Sequence, residues 1–179
     1  MKYKILHYKN IASTNDLAKK LANDGLGEGL VVWADYQTRG RGRFKRKWVS
    51  PKGKDLLLSI LLRPKVKNCQ ASMVTFVAAR AVRDVLKRQF DIPATIKKPN
   101  DVVVNGKKIC GILTEASAYP NSLTHLIVGI GINVNSKKRE MLKRATSILE
   151  LTEQEQNREG LLKQFLEEFR KQYRSLMKV

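Results

Sequence analysis

The pair Asn105-Gly106, set between two runs of apolar and β-branched residues, is the feature that most restricts the fold of this chain. Residues 102–104 precede the pair, and a second run over residues 109–116 follows it. Asn-Gly favours the type I′ turn, because both central residues of that turn need a positive φ, and this turn joins adjacent antiparallel strands. The sequence therefore predicts a β-hairpin and a sheet that is at least partly antiparallel.

Further strands and helices are predicted on both sides of the hairpin. Short apolar runs predict strands over residues 4–8, 30–36, 56–62, 95–98 and 123–134. Apolar residues at helical spacing predict three helices. The first begins at Ser13 with a capping-box-like pattern and ends near Gly25, the second spans 71–90, and the third is an amphipathic helix over 155–179. This order is typical of an α+β fold with a mixed, mainly antiparallel sheet and packed helices, and residues 1–179 suit a single domain.

Residues 39–54 predict a loop that binds an anionic ligand. This segment contains eight basic residues and no acidic one, with Gly40 and Gly42 between its arginines. Glycine lets the backbone approach a ligand closely, and the arginine guanidinium matches phosphate or carboxylate oxygens. Trp48 adds a flat face for a ring. We expect a mobile loop that closes over its ligand, and that is disordered without one because its like charges repel.

Several function classes are excluded or disfavoured. The loop lacks the third glycine of the dinucleotide fingerprint, and no GxxxxGK[ST] motif occurs. Cys69 and Cys110 form no CxxC pair, so a disulfide framework or a zinc site is not expected; we predict an inert loop thiol and a buried core thiol, respectively. There is no apolar run of membrane-spanning length and no secretory leader pattern, so a cytoplasmic location is expected.

The charge predicts an anionic partner without identifying it. The chain carries 35 lysines and arginines against 16 acidic residues, a net charge of +19. Such a field attracts nucleic acid, nucleotides or acidic proteins. On composition alone, the arginine-glycine loop fits a nucleic-acid-binding module as well as it fits an enzyme.

Four blocks in a fixed order resemble the motifs of biotin protein ligases. Residues 35–48 contain GRGRFKRKW, which is similar to the GRGRxxRxW signature, and Ser13-Thr14-Asn15 resembles the early STN element. Residues 97–101 and 107–115 (KKPND and KKICGILTE) resemble the KWPND and KxxGIL block, and residues 129–134 (GIGINV) match its glycine-rich strand. The resemblance extends from about residue 5 to about residue 150. The four blocks together are a specific signal, although no single block would be.

The resemblance implies a fold, a reaction and partners. The fold would be the class II aminoacyl-tRNA synthetase/biotin ligase-like catalytic domain. The reaction would be ATP-dependent biotinylation of a carrier-protein lysine through biotinyl-5′-AMP, with ATP and biotin as substrates and Mg²⁺ as cofactor. The implied partner is the biotin carboxyl carrier domain of a biotin-dependent carboxylase, and a second copy of the chain is a further candidate because dimers are common in the family.

The sequence shows neither of the two additional domains found in relatives. From residues 1–179 we expect neither the N-terminal helix-turn-helix domain nor the C-terminal SH3-like domain of those relatives. Specific DNA binding and membrane association are therefore not expected. Reduced affinity for ATP or for the carrier is expected instead, because the SH3-like domain assists both in relatives.

Roles are carried over from the family position by position. The residues implied to bind biotin are Ser13, Thr14, Asn15, Gln37, Gly40, Arg41, Gly111 and Leu113. Those implied to bind the nucleotide are Arg41, Arg43, Arg46, Trp48, Asn100 and Asn133. The implied catalytic residues are Lys108, which would lie between the biotin carboxylate and the α-phosphate, Arg43, and Asp101. Asp101 is also the candidate Mg²⁺ ligand, and we infer that it accepts a proton from the carrier lysine.

Two departures and two alternatives accompany this interpretation. Lys98 replaces the family's usual tryptophan, which puts the packing beside the adenylate in doubt, and Phe44 and Lys45 alter the loop. One alternative is a lipoate or octanoate ligase of the same fold group, although the GRGR loop differs from the glycine-rich loop of those enzymes. The other alternative is a nucleic-acid-binding module, which explains the charge but not Asn100, Asp101 or Lys108.

Overall fold

The computed structural model describes residues 1–64, 71–118 and 123–178, and these residues form an α+β fold around one seven-stranded sheet. The strands are β1 (Lys4–Tyr8), β2 (Leu30–Ala34), β3 (Leu56–Leu62), β4 (Thr95–Lys97), β5 (Asp101–Val104), β6 (Lys107–Ala118) and β7 (Leu123–Ile132). The helices are α1 (Thr14–Asn23), α2 (Ala71–Phe90), α3 (Ile148–Thr152) and α4 (Arg158–Leu176), with 3₁₀ turns at Arg43–Lys45 and Lys138–Glu140. The spatial order of the strands is β1-β2-β3-β7-β6-β5-β4.

The predicted fold class is confirmed. Within the described sheet, β1 and β2 are parallel, whereas every other neighbouring pair is antiparallel. Asn105 and Gly106 both have positive φ, at 48° and 74°, as the type I′ turn between β5 and β6 requires. Ser13 caps α1 as predicted, because its hydroxyl accepts a hydrogen bond from the Asp16 backbone N–H at 3.4 Å.

The sheet separates two cores of unequal size. Helices α2 and α4 cover one face, where the alternate residues of β3, β6 and β7 are fully buried beneath them. The short helix α1 covers part of the other face and packs on Val32, Leu61 and Ile127. Since side chains alternate along a strand, the face of β7 that carries Ile127 also carries Gly129 and Gly131. Beyond α1, therefore, this face presents backbone instead of apolar side chains.

A polar cluster ties β1, β2 and α4 together at the edge of the sheet. The His7 ring stacks on Trp33 with 3.9 Å between centroids, and its Nε2 lies 3.1 Å from an oxygen of Asp35. The same oxygen accepts a hydrogen bond from Arg158 at 2.9 Å. Burial alone would raise the pKa of Asp35, but the hydrogen bonds from His7 and Arg158 outweigh it and hold that pKa below its usual value.

A strand and a helix begin or end at residues other than those predicted, because side chains accept hydrogen bonds from backbone N–H groups there. Strand β7 ends at Ile132 instead of 134 because the Val134 N–H donates to the Asp55 carboxylate. Helix α4 begins at Arg158 instead of 155, since Asn157 caps it by accepting from the Gly160 N–H at 3.0 Å. Helix α3 was not predicted, because its five residues are too few to show a helical period.

The predictions about cysteine and membrane segments have separate outcomes. Cys110 is a buried free thiol in the main core, as predicted, and burial raises its pKa far above the usual value. Cys69 lies outside the described residues. Among the helices of the described part of the chain, none combines the length and the apolar character needed to cross a membrane.

We predict that Phe165→Ala lowers the free energy of unfolding by about 3–5 kcal/mol, because the Phe165 side chain of α4 is fully buried in the main core. Phe44→Ala is the matched control. Phe44 is 79% exposed, so its loss should cost less than about 1 kcal/mol. Urea unfolding followed by circular dichroism measures both values, and equal effects of the two variants would contradict the described core.

Candidate active site

Three glycines form the floor of a cleft on the face of the sheet opposite α2 and α4. Gly111 of β6 and Gly131 of β7 are cross-strand partners. A Cβ at Gly131 would lie 2.6 Å from the Trp48 ring, and one at Gly129 would lie 2.2 Å from the Asn15 side-chain oxygen. The indole and the amide therefore rest directly on the strand backbone, which a larger residue would prevent.

The cleft collects residues from distant parts of the sequence. Most residues predicted for the site line it: Ser13, Thr14, Asn15, Gln37, Arg41, Arg43, Trp48, Asn100, Lys108, Gly111 and Leu113. Leu58, Gly42, Ile112, Gly129, Ile130 and Gly131 complete the wall. The sequence thus predicted which residues meet, while the ligand that each one binds stays a prediction.

One end of the cleft is a neutral hydrogen-bonding network. The Gln37 side-chain oxygen accepts from the Thr14 backbone N–H at 2.7 Å and from the Thr14 hydroxyl at 3.0 Å. The Ser59 hydroxyl lies 2.7 Å from the Thr14 hydroxyl oxygen and donates to the Asn15 amide oxygen at 2.6 Å. Ser59 was missed in the sequence, although a lone serine within the run LLLSILL is a usable signal.

The other end of the cleft is cationic. Lys108 Nζ lies 2.7 Å from Asp101 Oδ1 and 5.5 Å from the centre of the Trp48 ring. The carboxylate of Asp101 therefore holds the Lys108 ammonium through a close ion pair. Arg43 donates to the Asn100 side-chain oxygen at 3.3 Å, and Asn100 in turn donates to the Ile112 carbonyl at 2.9 Å. Both cations are therefore positioned by residues of β5, β6 and the turn before β5.

Four predicted site residues do not line the cleft: Gly40, Arg46, Asp101 and Asn133. Gly40 closes the loop, since its carbonyl accepts from the Trp48 N–H at 3.0 Å. Arg46 is exposed on the loop. Asn133 is buried, and its amide donates to the carbonyls of Lys108 and Thr146, so it holds the strand behind Lys108. Asp101 reaches the cleft only through its contact with Lys108.

A buried carboxylate anchors the end of the loop. Asp55 accepts hydrogen bonds from the Ser50 hydroxyl at 2.7 Å, from the Ser136 hydroxyl and from the Val134 N–H at 2.9 Å. Burial raises the pKa of Asp55, although these hydrogen bonds oppose the shift. Asp55 thereby joins the loop to the residues that follow β7, a connection that the sequence did not indicate.

The cleft holds no preformed metal cage among the residues that the structure describes. No group of three or more His, Cys, Asp or Glu side chains comes together there or elsewhere in the described part. Any metal ion at this site would therefore need ligands from a substrate in addition to the carboxylate of Asp101.

Comparison with known sequences agrees with the geometry of the cleft. The profile of the Biotin/lipoate A/B protein ligase family matches residues 8–133, which is more than half of the chain. The chain belongs to the biotin/lipoate A/B protein ligase family. The matched segment includes the neutral network, the loop, the glycine floor and Lys108, so the whole cleft lies within the family's conserved domain.

Individual family members are similar over two thirds or more of this chain. The bifunctional ligase/repressor BirA of Bacillus subtilis is 37% identical over 97% of this chain and 54% of its own length. A biotin–[acetyl-CoA-carboxylase] ligase of Paracoccus denitrificans is 42% identical over 68% of this chain and 51% of its own length. The chain thus spans about half the length of the curated relatives it matches.

Solved structures of family members share the fold. The biotin protein ligase from Aquifex aeolicus, solved in complex with biotin and ATP, has a TM-score of 0.85 and 33% sequence identity, and the match covers 98% of this chain and 72% of that one. A biotin protein ligase from Leishmania major, in complex with biotinyl-5-AMP, has a TM-score of 0.74 at 25% identity, over 93% of this chain and 73% of that one. The agreement extends the family assignment to the three-dimensional fold.

We predict that Gly131→Ala displaces Trp48, because the added methyl group would lie 2.6 Å from the indole ring. In a Trp33→Phe background Trp48 is the only tryptophan, so its fluorescence should shift to longer wavelength as the ring moves into water. Gly160→Ala is the control, because its nearest neighbour would be at 3.7 Å. An unchanged spectrum in the Gly131 variant would contradict the packing of Trp48 on the floor.

Proposed function

We propose that this chain is an ATP-dependent biotin–protein ligase that forms biotinyl-5′-AMP and transfers the biotinyl group to a lysine of a carrier protein. The observation that carries the proposal is the polarity of the cleft. A neutral hydrogen-bonding end and a cationic end share one glycine floor, and Gly129 and Gly131 are about 7 Å apart along β7. A ligand with a polar ring at one end and a carboxylate at the other fits this arrangement.

The neutral end suits the bicyclic ring of biotin. Its ureido group carries N–H donors and a carbonyl acceptor, and the hydroxyl groups of Ser13 and Thr14 and the amide of Gln37 offer complementary partners. Thr14 and Gln37 are held by each other and by Ser59, so their orientation is set before the ligand arrives. Preorganisation of this kind reduces the entropy lost on binding.

The cationic end suits the first chemical step. The biotin carboxylate attacks the α-phosphate of ATP, the bond to the β-phosphate breaks, and pyrophosphate leaves. Both reactants are anionic, so fixed cations at the meeting point reduce their repulsion and stabilise the charge that develops in the transition state. Lys108 and Arg43 are the proposed cations at that point, because both line the cleft. Arg46, which is exposed on the loop, and Trp48 and Asn100 are the proposed nucleotide contacts.

Asp101 has two proposed tasks. In the second step the carrier lysine attacks the mixed anhydride and AMP leaves. A lysine ammonium has a pKa of about 10.4, so it must lose a proton before it can attack. The carboxylate of Asp101, which forms an ion pair with Lys108, is the proposed acceptor of that proton. One carboxylate with the phosphates of ATP is also a sufficient ligand set for Mg²⁺, which when bound would neutralise the outgoing phosphates.

The carrier is proposed to be an acidic biotin carboxyl carrier domain. Exposed lysines and arginines flank the Asp101–Lys108 pair on several sides: Lys97, Lys98, Lys107, Lys143 and Arg144. Lys97 is paired with Asp101 in the sheet register, and the Arg144 carbonyl accepts from the Lys108 N–H. A rim of this charge would steer an acidic domain to the cleft. Lys98, which replaces the family's tryptophan, is exposed and adds to the rim.

Lipoate is the alternative substrate within the same family, and the relatives named above as biotin ligases favour biotin. Both acids would present a carboxylate to Lys108, but only biotin has a ureido ring for the Thr14 and Gln37 network. Comparing the two acids in one assay therefore separates these hypotheses.

We predict that the chain supports biotin-dependent exchange of labelled pyrophosphate into ATP, and that Lys108→Ala lowers the exchange rate by about a hundredfold to a thousandfold, because it removes the central cation of the first step. Lys107→Ala is the matched control, since Lys107 is the exposed neighbour on the same strand, and it should stay near the wild-type rate. Exchange with lipoate instead of biotin, or equal rates in both variants, would overturn the proposal. Salt-dependent nucleic-acid binding with no exchange would favour the binding module.

A further inference from the structure

Glu115 carries the one acidic side chain of β6, and it lies on the same strand face as Gly111 and Leu113. A single oxygen, Oε2, accepts a hydrogen bond from the Asn15 amide at 2.6 Å and another from the Arg41 guanidinium at 3.0 Å. One carboxylate thus joins a buried residue of α1 to the loop over residues 39–54. None of the steps proposed above uses this contact.

Asn15 depends on Glu115 for its orientation. Its amide oxygen accepts from Ser59, and its amide nitrogen donates to the Leu113 carbonyl at 3.3 Å and to Glu115. With these contacts the amide is fully occupied, so Asn15 supports the cleft by packing on Gly129 and has little left to offer a ligand. Of its three partners, Glu115 is the charged one and makes the shortest contact to the amide nitrogen.

Arg41 is held by two carboxylates at once. The same guanidinium nitrogen that contacts Glu115 also donates to Asp16 in the first turn of α1. Two anions neutralise this cation, whereas among the described residues Arg43 has only the neutral Asn100 as a side-chain hydrogen-bond partner. The two arginines therefore differ in kind: Arg41 fastens the loop, and Arg43 keeps its charge for an anionic ligand.

We propose that Glu115 is a positioning residue: its carboxylate fastens the 39–54 loop over the cleft through Arg41 and seats Asn15 on the glycine floor. The attachment of the loop follows from the contacts of Glu115 alone, whereas its effect on biotin adenylation rests on the proposed function. The loop carries eight positive charges and no negative one, so its closure needs anions supplied by other elements, and Glu115 and Asp16 supply them.

The fastening is electrostatic and open to solvent. The side chains of Arg41, Asp16 and Glu115 are 40%, 52% and 32% exposed. Salt screens the charges of side chains that are this exposed. A cation shared between two carboxylates is nevertheless a small network, which is more stable than a single exposed ion pair. Loss of the Glu115 charge should therefore release the loop without unfolding the sheet below it.

The test measures the rate of trypsin cleavage after the lysines and arginines of residues 39–54, which rises as the backbone of the loop opens. We expect Glu115→Gln to be cut about tenfold faster than wild type, the loss associated with one charge-assisted hydrogen bond. Glu167→Gln, which removes the same charge from an exposed position on α4, is the control and should be cut at the wild-type rate. High salt should accelerate wild-type cleavage towards the rate of Glu115→Gln.

Activity gives the second readout. In the pyrophosphate exchange assay, Glu115→Gln should raise the KM for biotin and release more free adenylate than wild type, and Glu115→Asp should restore part of both because it keeps the charge. A Glu115→Gln protein that is cut at the wild-type rate overturns the proposal, whatever the exchange assay shows. If Glu115→Gln does not fold, Asp16→Asn tests the same fastening from the surface of α1, and unchanged cleavage of that variant also overturns it. Absence of exchange in the wild type would refute the proposed function while leaving the cleavage test intact.

Discussion

One face of β6 and β7 carries no side chain at Gly111, Gly129 and Gly131, and the groups around the cleft are arranged on that bare backbone. Trp48 rests on Gly111 and Gly131, Asn15 rests on Gly129, and Lys108 lies over the indole of Trp48. A methyl group at any of the three positions would collide with one of these side chains. The opposite face of the same strands is filled by Ile112, Ile130 and Ile132, which anchor the sheet in the main core. The strands are therefore held rigidly by the core on one face, and their bare backbone on the other face lets Trp48 and Asn15 pack closely around the ligand site.

The second organising factor is the placement of a few carboxylates in a very basic chain. With a net charge of +19, most acidic groups near the cleft have a specific cation or donor. Asp101 contacts Lys108, Asp16 and Glu115 hold Arg41, and the buried Asp55 joins the loop to the residues after β7. Arg43 is left with a neutral partner and Arg46 is exposed, so cationic charge remains available where an anionic substrate would bind. Fixed anions of α1 and β6 thus hold the loop at the cleft.

Much of this fold could be predicted from local sequence, because the relevant signals are local. Asn105-Gly106 specifies its turn, Ser13 specifies the start of α1, and the apolar period of residues 71–90 specifies α2. The set of cleft residues was also predictable, but only through the resemblance to biotin protein ligases, since no local rule brings Thr14, Gln37 and Lys108 together. The roles of Asp55 and Glu115 were not predictable, because each depends on partners more than forty residues away or on strand register. Asn133 was predicted from its motif to bind the nucleotide. Its amide instead donates hydrogen bonds to backbone carbonyls behind the cleft.

The central claim is that the neutral end, the glycine floor and the cationic end bind one extended ligand in a fixed direction. A crystal structure of the chain with biotin and a non-hydrolysable ATP analogue tests it most directly. We predict that the ureido ring lies beside Thr14 and Gln37, that the side chain of biotin runs through the cleft past the Trp48 indole, and that its carboxylate approaches Lys108 next to the α-phosphate. Biotin bound in the opposite direction, or outside the cleft, would contradict the account.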